Sequence, residues 1–393
     1  MHPLDQISFG KIVQIRERLL QAQAAGKTVY RFESGDPNFS PAPHVLDAID
    51  AAARAGKTHY IPNDGIPELR KALAEKLRTK NQIPWVTDQN VFMTNGAMHG
   101  LYVTFACLLA PGDEVIIPDP MWTEVGENIR LAGGITVGIP LRAEENFEYR
   151  PSEIAARITP KTKAIFLNTP HNPTGAVLSE STLREIIDIA KRHDLWIVSD
   201  EAYEDVIYAP AVHHSIAALA PEYANKIISI YSFSKSHAMS GLRIGYVVTC
   251  NPVLLERIPK LLRCTINGVN SLAQWAAVAA VTGPQDQLTM MRDEYLVRRD
   301  ILIKALEGID GIRPFTPRGS FFVWAELEPS IYKRLNVADA DGLSNLLAER
   351  GVGSAPGDAF GLTCEHAIRF SFSCATSMVE EGAVVLRSVL TAE

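Results

Sequence analysis

The sequence predicts an α/β fold: a large domain on a mostly parallel, helix-covered sheet, followed by a smaller α+β domain. Three observations carry this. From about residue 85 to 250, short apolar runs alternate with amphipathic helical segments, the order that builds parallel sheets covered by helices. Beyond about residue 285 a second, mixed pattern takes over. The chain's 393 residues also exceed what one compact core usually organises.

The elements follow in order. Pro67–Arg78 reads as a helix with Leu69, Leu73 and Leu77 on one face. Asn90–Thr94, Glu114–Pro118, Lys163–Leu167, Leu195–Ser199, Lys226–Tyr231 and Arg243–Thr249 read as buried strands, rich in Val, Ile and aromatics beside Gly, Pro, Asn or Asp. Between them lie helix Ala97–Leu109, closed by Pro111-Gly112-Asp113, and helix Ser181–His193, with Ser179 as its N-cap and Leu183, Ile186, Ile187 and Ala190 at helical spacing. Residues 285–309 read as one long helix. The second domain then runs through Arg313–Glu326, with Phe321–Ala325 strand-like, helix Ala340–Arg350, strand Ala367–Ser373 and a final helix from Ser377. The boundary falls near 285, giving 46–284 as the large domain and 285–393 as the small one. No internal repeat or low-complexity tract interrupts them.

Composition narrows the partners. Lys and Arg total 38 against 45 Asp and Glu, for a net charge of −7, and no long basic run occurs. Nucleic acid and anionic membrane are therefore not expected as partners. Five scattered cysteines without a C-x-x-C argue against a disulfide framework or structural zinc, and no metal is expected; a reducing cytoplasm fits. Met1-His2-Pro3-Leu4-Asp5 lacks the order of a signal peptide. No apolar stretch approaches the roughly 20 residues that span a bilayer.

Four strings carry chemistry. In Ser232-Phe233-Ser234-Lys235-Ser236-His237, a lysine flanked by hydroxyl residues follows a buried strand, and Arg243 lies eight positions on. A lysine buried in an apolar crevice loses its charge easily and attacks aldehydes, while hydroxyls and a guanidinium hold phosphate. A surface lysine with a salt-bridged arginine fits the local string equally well. Leu195-Trp196-Ile197-Val198-Ser199-Asp200-Glu201-Ala202-Tyr203 runs off an apolar strand into Asp200, where open α/β sheets bind ligands. That carboxylate suits a cationic ring nitrogen or a helix cap. Asn168-Thr169-Pro170-His171-Asn172-Pro173-Thr174-Gly175 is a rigid loop past another strand, able to aim the Asn172 amide. Thr94-Asn95-Gly96-Ala97-Met98 is a strand–helix junction whose free N–H groups suit phosphate. It matches neither G-x-G-x-x-G nor the Walker A pattern.

Together, in this order, these strings resemble the class I/II, fold type I, pyridoxal-phosphate aminotransferases, of the aspartate-aminotransferase kind. The resemblance extends to Tyr60-Ile61-Pro62-Asn63-Asp64-Gly65-Ile66-Pro67-Glu68-Leu69-Arg70, Ser34-Gly35-Asp36-Pro37 and Ala367-Ile368-Arg369-Phe370-Ser371. It implies pyridoxal 5′-phosphate as cofactor and Lys235 as the lysine joined to it, later the base at the substrate Cα. Asp200 is similar to the aspartate that keeps the pyridine nitrogen protonated, and Asn172 and Tyr203 to the pair that bonds the ring oxygen. Arg243, Ser232, Ser234 and the backbone at Gly96, Ala97 and Met98 resemble the phosphate cup. Trp122 falls where an aromatic ring stacks on the cofactor, and Tyr60 where a tyrosine reaches phosphate across a homodimer interface. Arg369 resembles the arginine that grips the substrate α-carboxylate, beside Gly35. The first 45 residues are implied to form an arm against the small domain.

The sequence also departs from the family: Met98 and His99 replace polar residues common in relatives, and no second arginine for a distal carboxylate is placed, Arg263 lying near the region. What the resemblance implies is ping-pong amino transfer between an L-amino acid and a 2-oxo acid, with an aspartate-like or aromatic side chain. A lyase, cyclase or oxidase on the same cofactor is the first alternative. An aminotransferase-like regulator domain is the second, opposed by the acidic charge and the short leading segment.

Overall fold

The computed structural model describes residues 3–7 and 10–392; Met1 and His2 of the opening stretch lie outside them. Seven strands form the larger sheet: β1 (Val91–Thr94), β2 (Glu114–Asp119), β3 (Ile135–Pro140), β4 (Thr162–Asn168), β5 (Trp196–Asp200), β6 (Ile227–Ser232) and β7 (Gly245–Val248). Their order is β1-β7-β6-β5-β4-β2-β3. β3, β2, β4, β5 and β6 pair in parallel. β7 alone runs against both neighbours. β4 and β5 are buried nearly throughout, because helices cover both faces, which explains their unbroken apolar runs.

Local chemistry sets the helix ends. Helix Glu180–His193 starts where the Ser179 hydroxyl accepts the Thr182 N–H at 3.2 Å, satisfying one of the four amides a helix start leaves free. β3 is the strand that the apolar runs do not announce. It is an edge strand, half-exposed and broken by Gly138 and Pro140, so it lacks the apolar density that marks its buried neighbours.

The smaller sheet is antiparallel, with β8 (Ile312–Phe315), β9 (Phe322–Leu327), β10 (Ala355–Pro356) and β11 (Ala367–Ser371) in the order β10-β11-β9-β8. The segment Arg313–Glu326 thus holds two strands rather than one. Helix Asp286–Leu306 packs on helix Thr376–Leu390 beside this sheet. Residues near the amino end join it: Ser371 N–H donates to Phe32 O at 2.6 Å and Asn38 N–H to Ser373 O at 3.1 Å. Arg298, nearly fully buried, donates to Asn38 at 2.6 Å and Thr376 at 2.9 Å.

This topology gathers the functional strings. The carboxyl ends of β1, β2, β4, β5 and β6 share one edge of the large sheet. Thr94, Asp119, Asn168, Asp200 and Ser232 all end strands there, and β11 brings Arg369 from the other sheet to face them. No helix among the described residues is long and apolar enough to cross a membrane.

Candidate active site

A cleft of about 440 Å³ lies between the two sheets. Gly35, Ala97, Met98, Trp122, Asn172, Asp200, Tyr203, Ser232, Ser234, Lys235, Arg243 and Arg369 all line it. They come from parts of the chain hundreds of residues apart.

Lys235 sits at the centre, on the short helix Phe233–Ser236 that follows β6. Its Nζ donates to the Gly35 carbonyl at 2.5 Å and stands 5.9 Å from the Tyr203 ring and 5.6 Å from the Phe321 ring. Burial lowers the ammonium pKa to about 8, with Arg243 and Arg369 pushing the same way against Asp36 and Asp200. About a tenth is therefore the free amine at pH 7, the form that is nucleophilic and basic.

Asp200 closes one end. Burial raises its carboxyl to about 6, and Glu201 adds to this, while the Ala202 N–H, donated at 3.0 Å, holds it down. A cationic partner would be welcome there. Glu201 turns the other way, accepting from Ser199 at 3.1 Å and meeting His213 at 3.0 Å. Side chains alternate along β5, and Glu201, the residue after it, continues that alternation beside Ser199, so of the two neighbours Asp200 faces the cleft.

The other end is an anion cradle. Helix Gly96–Leu108 begins there, so the Ala97 and Met98 amides are free donors. Gly96 itself lies behind the wall. Its φ is +79°, and a Cβ would come within 2.7 Å of Arg243 Nη2, so only glycine lets the guanidinium lie against this turn. Arg243 donates to Ser240 O at 2.6 Å, and Ser232 Oγ accepts the Ser234 N–H at 3.1 Å. The Met98 sulfur accepts from Asn128 at 3.3 Å, and His99 Nδ1 accepts the Asn95 N–H at 3.2 Å. Both side chains thus have partners of their own.

Arg369 is 1% exposed. It donates from Nη1 to Asn172 Oδ1 at 2.9 Å and from Nη2 to Glu33 O at 2.8 Å. The rings of Phe322 and Phe360 flank it at 4.3 and 4.8 Å. Its Nε is buried without a partner. An unpaired buried donor is costly, and a carboxylate arriving in the cleft would satisfy it. Burial lowers its pKa to about 10, leaving it charged. Because Arg369 occupies the Asn172 oxygen, the Asn172 Nδ2 hydrogens are what the loop offers to a ligand. Tyr203 packs edge-on against Phe321 and Phe322, and burial raises its pKa, keeping the hydroxyl a donor.

Tyr60 does not join this cleft. It is 91% exposed, beside a separate surface groove lined by Ile266–Leu272. Conversely, Ile12, Val13, Asp36, Glu124, Phe322 and Ala359 line the cleft without having been expected. Asp36 and Glu124 each lie within two residues of an expected position. The aliphatic and aromatic ones carry no signal beyond ordinary core composition.

The family described as "Aminotransferase class I and II" has a model that matches residues 27–386. The chain belongs to this family. Among relatives of this aminotransferase, an aspartate aminotransferase of Musicola paradisiaca (strain Ech703) is 35% identical, covering 95% of this chain and 92% of the relative. An arginine–pyruvate transaminase of Pseudomonas aeruginosa is 37% identical, over 90% of this chain and 88% of that one. The solved structure of aspartate aminotransferase from Thermus thermophilus with maleate superposes with a TM-score of 0.91 at 31% identity, covering 99% of each chain. The aminotransferase is thus a transferase of fold type I.

Proposed function

We propose that this aminotransferase binds pyridoxal 5′-phosphate in the cleft and moves an amino group from an L-amino acid to a 2-oxo acid by a ping-pong cycle. The observation that carries the reading is one cleft with a depressed lysine between a buried carboxyl and an arginine-backed anion cradle. Those residues fit the cofactor's three chemical ends. Arg243, Ser232, Ser234 and the amides of Ala97 and Met98, behind Gly96, would hold the phosphate. Asp200 would face the ring nitrogen, and the Asn172 amide and Tyr203 hydroxyl the ring oxygen. Trp122 would cover the ring face.

When bound, the cofactor supplies an aldehyde for the amino group and a ring that accepts electron density from the substrate carbon. The protein supplies placement and proton control. Arg369, Gly35 and Asn172 orient the α-carboxylate, with the guanidinium fork fixing two oxygens at once. Lys235 Nζ would take the proton from the substrate Cα and deliver it to the cofactor's former aldehyde carbon, C4′, which a pKa near 8 permits in both directions. Asp200 stays anionic opposite a cation, so its raised carboxyl falls once a positive nitrogen arrives. The apolar wall of Trp122, Ile12 and Val13 is compatible with an aspartate-like or aromatic side chain.

The same reading extends to the assembly. Tyr60 would reach the phosphate of a second copy, making a homodimer with shared sites; its exposure beside a groove supports this. Five unpaired cysteines suit a cytoplasmic location. The domains are proposed as an arm over 1–45, a large domain over 46–284 and a small domain over 285–393. The bonds of Phe32 and Asn38 to β11 and its following loop support the arm.

The test is incubation of the cofactor-loaded protein with panels of L-amino acids and 2-oxo acids. Exchange of the amino group supports the reading. Release of ammonia or peroxide in its place would assign a lyase or oxidase.

A further inference from the structure

Asp119 ends β2, three residues before Trp122. Its carboxylate is half-buried, and among the described residues no lysine or arginine pairs with it. Oδ2 instead accepts the N–H groups of Leu362 at 3.1 Å and Thr363 at 3.2 Å, and Oδ1 the Cys364 S–H at 3.3 Å. Gly361 passes so close that a Cβ would stand 1.7 Å from Oδ1. Successive amides converging on one point make a concavity that suits an anion, and here the chain provides its own.

The same loop reaches three walls of the cleft. Phe360 O accepts the Met121 N–H at 2.7 Å, next to Trp122. The Phe360 ring is one of the two plates around Arg369 and meets Trp324 edge-on at 5.7 Å. Asp358 accepts from Lys11 at 2.6 Å, and Lys11 and Ala359 line the cleft.

We infer that Asp119 is a positioning residue for amino transfer: its carboxylate pins loop 358–364 to the end of β2 and so holds Trp122 and Arg369 in fixed relation across the cleft. This rests on the roles proposed above for Trp122 and Arg369. Asp119 touches neither substrate nor cofactor. Without it, the Leu362 and Thr363 amides lose their acceptor, the loop loosens, and the Phe360 plate shifts against the guanidinium. Binding then weakens while the proton-handling groups Lys235 and Asp200 stay in place.

The experiment compares Asp119→Ala, Asp119→Asn and Gly361→Ala with the wild type. In the cofactor-free protein, hydrogen exchange at the Leu362 and Thr363 amides should be at least about tenfold faster in Asp119→Ala, the scale of losing a hydrogen bond to a charged acceptor. With cofactor, KM for the amino donor should rise about tenfold, with kcat within about threefold. Asp119→Asn, which keeps an acceptor oxygen, should recover most of that loss. Gly361→Ala, which leaves the carboxylate intact but pushes the loop off it, should reproduce the KM increase. Unchanged exchange and KM in Asp119→Ala overturn the inference, as does a fall in kcat at constant KM. Should Asp119→Ala fail to fold, an unchanged KM in Gly361→Ala overturns it equally. A wild type that transfers no amino group would defeat the proposed function, while exchange in the cofactor-free protein still decides separately whether Asp119 pins loop 358–364.

Discussion

Replacing Arg369 with lysine keeps a positive charge in the cleft and removes its fork. The guanidinium has five N–H donors; two are committed, to Asn172 Oδ1 and Glu33 O. Three remain, enough to grip a carboxylate through two parallel bonds. An ammonium has three in all. Once it serves the two buried oxygens that Arg369 serves, one is left for the substrate. The loss is one charge-assisted hydrogen bond, about 1.5–3 kcal/mol, or roughly 10- to 150-fold in kcat/KM. Initial rates with an L-amino acid donor and a saturating 2-oxo acid read this directly, and the change should fall mainly on KM. A primary amine lacking the carboxylate should react equally with both proteins. A kcat/KM for Arg369→Lys within twofold of wild type would refute the fork argument.

Lys235→Ala should abolish amino exchange and remove the visible absorbance of the lysine–cofactor bond; a chromophore that survives unchanged counts against Lys235. Asp200 has a folded pKa of about 6, above its ordinary 3.8, so the ionised form is disfavoured by folding and this group's contribution to stability declines as pH rises from about 4 to 6. Asp200→Asn should therefore make the cofactor-free protein more stable at pH 7, by about 2–3 kcal/mol in urea unfolding, while exchange falls at least about a hundredfold; equal stability at pH 7 would count against the buried-carboxyl account. Gly96→Ala places a Cβ against Arg243 at a strained φ, and should weaken cofactor binding about tenfold or more by titration of the cofactor-free protein; unaltered affinity would show that Arg243 is not held by this turn.

Much of the fold was legible because burial and period leave marks in composition. β4 and β5 are covered on both faces and read as continuous apolar runs. The half-exposed edge strand β3 and the two-residue β10 leave no such mark. The chemistry-bearing strings were legible as well, since Asp200 ends a strand and Gly96, Asn172 and Lys235 follow strands within four residues, at junctions where a packed core does not require polar groups. Loop 358–364 carried no signal: Phe360 and Gly361 are ordinary residues until Arg369 and Asp119 are brought against them.

Residue types and their order, then, determined which groups this aminotransferase possesses and near which strand ends they stand. The tertiary structure decided what those groups experience. Lys235 is an ordinary lysine in the chain and has a pKa near 8 only because Gly35, Tyr203, Phe321 and Arg369 enclose it from distant segments, with Arg243 close by in the chain. Dielectric surroundings, unpaired donors and the spacing of charges across a cleft belong to the packed molecule. They depend on distances between residues such as Glu33 and Arg369, 336 positions apart, and no local pattern records those distances.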